Sequence, residues 1–413
     1  MRILIVTMSL PYPPTSGGAI RVHGITQGLL NAGHQVTLMT FHPGQHVPVP
    51  SQLQLELVNT APPARSTIER LRDLALSSEP DIARRFYSPE FENHLRQLLK
   101  TQLFDVIQFE GIEAVCYLPA AKAAQPSARL VFDTFNAEYA LQQGIFDIDR
   151  KNLRRIPAAV YSGLQVGRIS KFEREMCRMA DAVIAVSDED ADLLRDFRED
   201  RRVYVVPNGI WVENYSQTID EDEDDEPTLV GQPMPVARDT LVFTGKMDYR
   251  PNVDAMLWFA EAVFPQVKQA VPNVYLYIVG QQPSPRLDYL KSMKGINITG
   301  RVESVLPYLQ TASVYVAPLR MGSGTRLKLL EAMASSCPIV ATSTASAGLN
   351  DEIKQAMMIA DTPEQMAEAI ITLLKTPERR QALRQNARHL VTQFYDWPVL
   401  IPRLLAAYDM LGV

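Results

Sequence analysis

The chain alternates short, continuous apolar runs with longer stretches in which apolar positions recur every three to four residues. A continuous run bounded by turn residues fits a strand buried on both faces, and a 3.6-residue period fits a helix with one buried face. Residues 3–7 form the first such run. A turn-rich stretch follows at 8–18, with three prolines and the pair Gly17-Gly18. The pattern then predicts a helix over 19–31, stopped by Gly33, and a second strand over 35–41. Strand, helix and strand in that order make a βαβ unit, which requires a parallel sheet with helices on its faces. Similar apolar runs recur at 105–109, 130–133, 182–186 and 203–206, and Pro207-Asn208-Gly209 reads as a closing turn.

The pattern breaks at 220–226, seven consecutive acidic residues followed by Pro227, Gly231, Pro233 and Pro235. Like charges repel and do not pack in a core, so this segment is expected to be an exposed loop or linker; a docking site for a basic partner is the alternative. A second series begins at Thr240, with strands expected over 241–244, 274–279, 296–298, 314–317 and 339–341. Helices are expected over 253–268, 305–311 and 325–335, and three more over 363–374, 378–392 and 398–411. The expected fold class is therefore α/β, with two Rossmann-like doubly wound domains at 1–210 and 240–395 joined by 211–239. Open sheets of this kind bind ligands beyond the carboxyl ends of their strands, which places the expected site in a central cleft.

Composition narrows the function classes. A length of 413 residues agrees with two or three domains, and 46% hydrophobic with 21% charged residues is ordinary for a globular protein. A net charge of −6 argues against a general nucleic-acid binder. Cys116, Cys177 and Cys337 lie far apart, with no C-x-x-C pair, so they predict neither a zinc site nor a disulfide framework and suit a reducing compartment. No run approaches the ~18 apolar residues of a membrane-spanning helix, and the N-terminal run lacks the length and cleavage site of a signal peptide. A cytoplasmic protein is expected.

The strongest local signal is the block Pro318-Leu319-Arg320-Met321-Gly322-Ser323-Gly324-Thr325-Arg326-Leu327-Lys328-Leu329-Leu330-Glu331-Ala332-Met333-Ala334. A strand, a small-residue loop and a helix start follow one another, so backbone N–H groups can approach an anion. Arg326 and Lys328 near a helix start oppose the helix dipole by ~0.3–1 kcal/mol each, a cost that a bound anion reverses. The plainer alternative is that both side chains point into water. Glu331 either accepts from sugar hydroxyls or pairs with Lys328 three residues earlier. A second basic pair, Lys246 and Arg250, lies in the strand-to-helix loop after residue 244. Two cations on one phosphate group suit a diphosphate leaving group, and two solvated surface charges are the alternative.

Other chemistries lack their signatures. Ser16-Gly17-Gly18-Ala19-Ile20-Arg21 is not G-x-G-x-x-G, and the second strand ends in Thr40-Phe41-His42 without an acid for a ribose hydroxyl. The six histidines show no metal-binding spacing, and no P-loop or hydrolase elbow is present. Glu110 and Glu138 fall just past expected strand ends, where they serve either a cleft or a local cap. From Arg150 to Arg178, eight basic residues face two acids, a local charge of +6, with Ile156, Val160, Tyr161 and Leu164 interleaved. This segment suits either an anionic membrane surface or a solvated helix pair with a basic face.

Taken in order, these segments resemble a retaining GT-B-fold glycosyltransferase of family four, in the bacterial exopolysaccharide-type branch. The resemblance rests on Gly17-Gly18, Ala180-Asp181-Ala182-Val183-Ile184-Ala185-Val186-Ser187, Val206-Pro207-Asn208-Gly209, Phe243-Thr244-Gly245-Lys246-Met247 with Pro251-Asn252, and the helix block ending Glu331-Ala332-Met333-Ala334. It covers essentially the whole chain. It implies a nucleotide-diphosphate sugar as donor substrate on the second domain, a saccharide or lipid-linked acceptor on the first, and no cofactor, metal or nucleic acid. It also implies that 396–413 returns to the first domain.

By position, Lys246, Arg326 and Glu110 become the implied catalytic group. Gly17, Gly18, Arg250, Gly300, Arg301, Val302, Ser323, Gly324, Thr325, Leu327 and Glu331 become donor-binding, and Arg21, Asn136 and Glu138 lie on the acceptor side. The family is usually assigned a front-face route in which the leaving diphosphate helps deprotonate the acceptor. Peripheral contact with the inner face of the membrane would accompany a lipid-linked acceptor. Three positions depart from the family pattern: Ser323 replaces its first glutamate, Asn252 falls near its second cation, and Glu110 stands at a cleft histidine. These departures keep two other readings open, a non-catalytic GT-B scaffold and a sugar-nucleotide epimerase.

Overall fold

The computed structural model describes residues 1–14, 16–42, 44–59, 65–66, 69, 72–73, 77–150, 156–200, 202–215, 239–321 and 327–413. The acidic run 220–226, the loop 322–326 and Lys151, Arg154 and Arg155 lie outside the described residues. Two compact units emerge: Met1–Asn208 together with Leu400–Val413, and Gly209–Val399.

In the first unit, the described residues form a parallel sheet of seven strands. They are β1 (Arg2–Val6), β2 (Gln35–Phe41), β3 (Gln54–Val58), β4 (Val106–Glu110), β5 (Arg129–Asp133), β6 (Ala182–Ala185) and β7 (Val203–Val205), in the order β3-β2-β1-β4-β5-β6-β7. The continuous apolar runs occupy its centre: Ile3, Leu4, Ile5 and Val6 are fully buried, with Ile3 in register with Val36 on one side and Val106 on the other. β3 was not legible from the pattern. It is an edge strand, Gln54-Leu55-Glu56-Leu57-Val58, half-exposed over most of its length, so it never needed a continuous apolar run.

The helix Gly17–Asn31 follows β1, capped at its start by the Ser16 hydroxyl, which accepts from the Ala19 N–H at 3.4 Å. A Cβ on Gly28 would lie 2.3 Å from Ile401 Cδ1. The glycine is therefore what lets the C-terminal helix pack against this one. That helix, Trp397–Asp409, changes units at Leu400 without a break.

In the second unit the described strands are β8 (Thr240–Thr244), β9 (Tyr275–Val279), β10 (Ile296–Gly300), β11 (Val314–Ala317), β12 (Ile339–Ala341) and β13 (Met357–Ile359), all parallel, in the order β10-β9-β8-β11-β12-β13. β13 was also missed; three residues at a sheet edge carry too little pattern. The helix expected over 253–268 is three pieces: Arg250–Trp258, a π-helical turn over Phe259–Val263, and Phe264–Ala270. Pro265 supplies the physical reason, because it has no N–H for the α-helical bond and its ring collides with the carbonyl four residues back.

The unit boundary differs slightly from the expected one. Ile210 pairs with Asp396 in a parallel bridge, its N–H donates to the Tyr395 carbonyl at 3.0 Å, and Trp397 N–H donates back to Ile210 O at 3.1 Å. Residues 209–210, expected in the first domain, and 211–215, expected in the linker, therefore belong to the second unit.

Candidate active site

Each sheet reverses the direction of its strand order at one point, and loops leaving the carboxyl ends of the two strands there leave room for a ligand. In the first unit this point lies between β1 and β4. A pocket of about 210 Å³ opens at it, walled by Thr7, Ser9, Pro11, Ser16 and Gly18 after β1 and by Glu110 and Glu113 at the end of β4. Phe135, after β5, forms another wall. Two glycines make space for its ring: a Cβ on Gly18 would lie 3.2 Å from Phe135 Cε2, and one on Gly111 2.9 Å from the same atom. Gly111 also has φ of 82°, a conformation that side-chain-bearing residues rarely adopt.

Behind this wall is a buried polar network. Gln108 Nε2 donates to Glu110 Oε1 at 2.7 Å and to Asp133 Oδ2 at 3.3 Å. The Tyr408 hydroxyl, from the C-terminal helix, donates to Gln108 Oε1, which turns the amide so that its NH₂ meets the two acids. Glu110 is 2% exposed, and its Oε2 has no hydrogen-bond partner among the described residues. Burial pushes its carboxyl well above the usual range, the Asp133 charge adds to this, and Arg21 and Gln108 oppose it. The site thus presents a carboxylic acid biased toward its neutral form, able to donate or accept a hydrogen bond at a pocket wall.

Arg21 was expected on the acceptor side, and the structure directs it inward instead. It is fully buried, with Nη2 2.7 Å from Asp133 Oδ1 and Nη1 donating to the Val206 carbonyl at 2.9 Å and to Asn208 Oδ1 at 3.2 Å. Its cation neutralises the network rather than facing a ligand.

Asn136 and Glu138 do not line the pocket either. Asn136 Nδ2 donates to Glu138 Oε1 at 3.3 Å, and burial pushes the Glu138 carboxyl up to about 7. Glu138 opens the helix Glu138–Asp149, whose first N–H groups donate to the buried Glu173 carboxyl at 2.9 and 3.1 Å. Burial pushes Glu173 up to about 8 against those two bonds. Sequence reasoning missed Gln108, Glu113, Phe135 and Tyr408. A polar Gln108 inside an otherwise apolar strand was the one available signal.

In the second unit the reversal lies between β8 and β11. Gly245 follows the end of β8, and there the chain approaches the turn after β9 so closely that a Cβ on Gly280 would sit 1.7 Å from Gly245 O. Lys246 follows, half-exposed, with Nζ 3.3 Å from Asp248 Oδ2. The buried Asn252 ties this loop to the helix Leu327–Ala334: its Nδ2 donates to the Lys246 carbonyl at 2.9 Å and its Oδ1 accepts from Lys328 Nζ at 2.8 Å. The Lys328 ammonium lies 4.6 Å from the centre of the Phe243 ring. Lys328 therefore does not splay into water.

Glu331, one turn further on, does not depend on Lys328 for a hydrogen bond, because its Oε1 accepts from the Tyr215 hydroxyl at 3.1 Å. Burial raises its carboxyl, opposed by the Tyr215 bond and the Lys328 charge. Arg250 begins its helix at the same sheet edge. Gly300, with φ of 72°, ends β10, and its carbonyl accepts from the Gly280 N–H at 3.2 Å. Arg301 beyond it is exposed and Val302 packs on the core. Leu327 opens the helix Leu327–Ala334; Ser323, Gly324, Thr325 and Arg326 lie outside the described residues. Gly17 opens the first helix of the other unit. Among the described residues, no group of three or more His, Cys, Asp and Glu side chains is placed to hold a metal ion.

The Glycosyltransferase Family 4 model matches residues 15–214, and the model for glycosyl transferases group 1 matches 238–376. An uncharacterised 44.6 kDa protein in the cps region of Klebsiella pneumoniae is 19% identical over 405 residues, 96% of each chain. Phosphatidyl-myo-inositol mannosyltransferase of Mycobacterium leprae is 26% identical over 214 residues, spanning 49% of this chain and 52% of that protein.

Among solved structures, sucrose-phosphate synthase of Thermosynechococcus elongatus matches with a TM-score of 0.70 at 16% identity, covering 100% and 99% of the two chains. An Anabaena protein solved in complex with UDP matches with a TM-score of 0.65 at 13% identity, covering 99% and 100%. The fold is GT-B, with two Rossmann-like parallel-sheet domains. The chain belongs to the group 1/family 4 superfamily of glycosyltransferases.

Proposed function

We propose that the protein transfers a sugar from a nucleotide-diphosphate donor to a saccharide or lipid-linked acceptor, with retention of configuration, in polysaccharide or glycoconjugate assembly. The observation that carries this reading is the pair of cations at the β8/β11 reversal point, Lys246 and Lys328, organised through Asn252. A diphosphate leaving group gains negative charge as the glycosidic bond breaks, and charge positioned beforehand stabilises that change without reorganisation. Arg250 adds to this field, and the diphosphate role that the resemblance gives to Ser323, Gly324, Thr325 and Arg326 is part of the same proposal, although those four lie outside the described residues. Glu331 accepts from a ribose hydroxyl of the donor, and Gly300, Arg301 and Val302 meet its base. The Anabaena neighbour's bound UDP supports a nucleotide donor. The Klebsiella relative's position in a cps region supports a polysaccharide context.

The acceptor is assigned to the first unit, where Glu110 meets one of its hydroxyls at the pocket wall. In the reaction the anomeric carbon–oxygen bond to the diphosphate breaks, and the acceptor oxygen forms the new bond on the same face. The leaving diphosphate takes the acceptor proton. The side chains position both partners and stabilise charge.

The test is a thermal-shift panel of UDP-, GDP-, ADP- and dTDP-sugars on wild type, Lys246→Ala and Glu331→Ala. A ligand at a hundredfold excess over its Kd adds about 2.7 kcal/mol of apparent stability. One nucleotide family stabilising wild type, and neither variant, supports the assignment and names the base. No shift from any donor in a folded protein refutes it and favours a scaffold. Conversion of a sugar nucleotide without acceptor favours an epimerase. Proton NMR of the product anomer decides retention.

A further inference from the structure

We propose that the pocket at the β1/β4 reversal point binds a sugar unit through a free, protonated amine. That this unit belongs to the acceptor rests on the transfer reaction already proposed; the binding itself does not. The pocket holds about 210 Å³, less than the ~300–1,000 Å³ of a cleft for a drug-sized ligand, so it suits one sugar ring rather than a chain. Its wall is one-sided in charge. Glu110 and Glu113 line it, and among the described wall residues no side chain carries a nitrogen. Glu110 Oε1 accepts from Gln108, while its buried Oε2 has no partner among the described residues. Leaving such an oxygen unmatched costs free energy that a donor on a ligand recovers. A Cβ on Gly111 would lie 2.9 Å from Glu113 Oε2 and 2.9 Å from Phe135 Cε2. The residue after Glu110 therefore brings a second carboxylate oxygen and an aromatic edge to one spot. Phe86 adds another aromatic wall.

The nearby cations are placed elsewhere. Arg21 gives its hydrogen bonds to Asp133, Val206 and Asn208. Arg85 is exposed, with its guanidinium 5.3 Å from the centre of the Phe86 ring, and its charge partly offsets the burial of Glu113. Glu138 lies near enough to Glu113 for the two negative charges to oppose each other. A uronate or a phosphate in this pocket would meet two acids and no cation on the wall, which excludes it by repulsion. A sugar hydroxyl offers one donor. An ammonium offers three donors and a positive charge, and aromatic faces within about 6 Å attract it as well. Carboxylates combined with aromatic rings are what select an amine over a hydroxyl here.

The experiment titrates the full chain, by calorimetry and ligand-observed NMR, with the methyl glycosides of glucosamine, glucose, N-acetylglucosamine and glucuronic acid. The glucosamine glycoside is expected to bind about tenfold or more tighter than the glucose and N-acetylglucosamine glycosides, and the glucuronide not at all. Glu113→Gln should weaken the amine about tenfold and Phe135→Leu about threefold, with little change for the neutral glycoside. Both side chains are only partly buried, and an unchanged thermal transition confirms that the variants fold. Equal binding of the amine and the neutral glycoside, or tighter binding of the uronate, overturns the proposal. So does amine binding that neither variant weakens, which would place it outside this pocket. Absence of binding by all four glycosides overturns it too. Each of these results is read without a nucleotide, so a donor-induced thermal shift leaves the transferase reading standing when this one fails, and amine binding without such a shift does the reverse.

Discussion

Replacing Arg21 by Met tests how far the first unit depends on one buried ion pair. The guanidinium gives Nε to both Asp133 oxygens at 3.1 and 3.2 Å, Nη2 to Oδ1 at 2.7 Å, and Nη1 to Val206 O and Asn208 Oδ1. Met occupies a comparable volume, so a cavity is not the main effect. What disappears is the cation that opposes burial at Asp133 and Glu110. Removing one partner of such a pair costs about 3–5 kcal/mol, because the other charge stays buried. For a unit of roughly 200 residues, 1 kcal/mol moves Tm by about 2–4 °C, so the expected drop is about 6–20 °C.

The pH dependence has a definite sign. Without Arg21, both carboxyls have folded-state pKa values raised further above their unfolded values. The stability they contribute is full below the unfolded pKa, near 4, and is lost as pH rises through the folded one. The deficit should therefore be larger at pH 8 than at pH 5. Calorimetry and circular dichroism at both pH values measure it, and Arg21→Met/Asp133→Leu should recover part of the loss by removing the stranded acid. A Tm change under about 2 °C at pH 8, or a deficit that grows on acidification, would refute the reasoning.

Three further outcomes follow from local geometry. Gly28→Ala places a methyl 2.3 Å from Ile401 Cδ1 and should destabilise by about 1–3 kcal/mol in urea titrations, despite Ala's helix preference; a stabilised variant would contradict the packing. Glu138, with its carboxyl pushed up to about 7, makes the fold lose stability as pH rises from about 4.5 to 7. Glu138→Gln should flatten that part of the urea-midpoint profile, and an unchanged slope would count against it. Asn252→Ala removes the bridge between the Lys246 carbonyl and the Lys328 ammonium. It should cost about 1–3 kcal/mol of stability and weaken the donor-induced thermal shift, and an undiminished shift would remove Asn252 from the site.

The position of a candidate residue on its element was legible where the local pattern is strong. Lys246 and Glu110 stand at the ends of continuous apolar runs, so a strand end could be drawn beside each. Glu331 sits in a helix whose start is marked by small residues. The reading of Arg21 differed because a cation three residues after a glycine resembles any surface charge. Its partner Asp133 lies 112 residues away. The edge strands β3 and β13 were silent because partial exposure and short length relax the demand for an apolar run. The Lys328–Glu331 pairing, one of the two alternatives for Glu331, treated the helix as standing alone, whereas Asn252 and Tyr215 supply hydrogen-bond partners from elsewhere in the second unit.

The sequence by itself determined the element types, the parallel βα repetition and the fold class, because strand and helix periodicities are local properties of the chain. It also placed the basic residues beside the strand ends. Strand order decided the rest. Bringing β1, β4 and β5 side by side makes Arg21, Gln108, Glu110 and Asp133 one network, and the C-terminal helix completes it through Tyr408, 300 residues from Gln108. A buried carboxyl takes its protonation bias from every neighbour within a few ångströms. Only the tertiary structure says which residues those are.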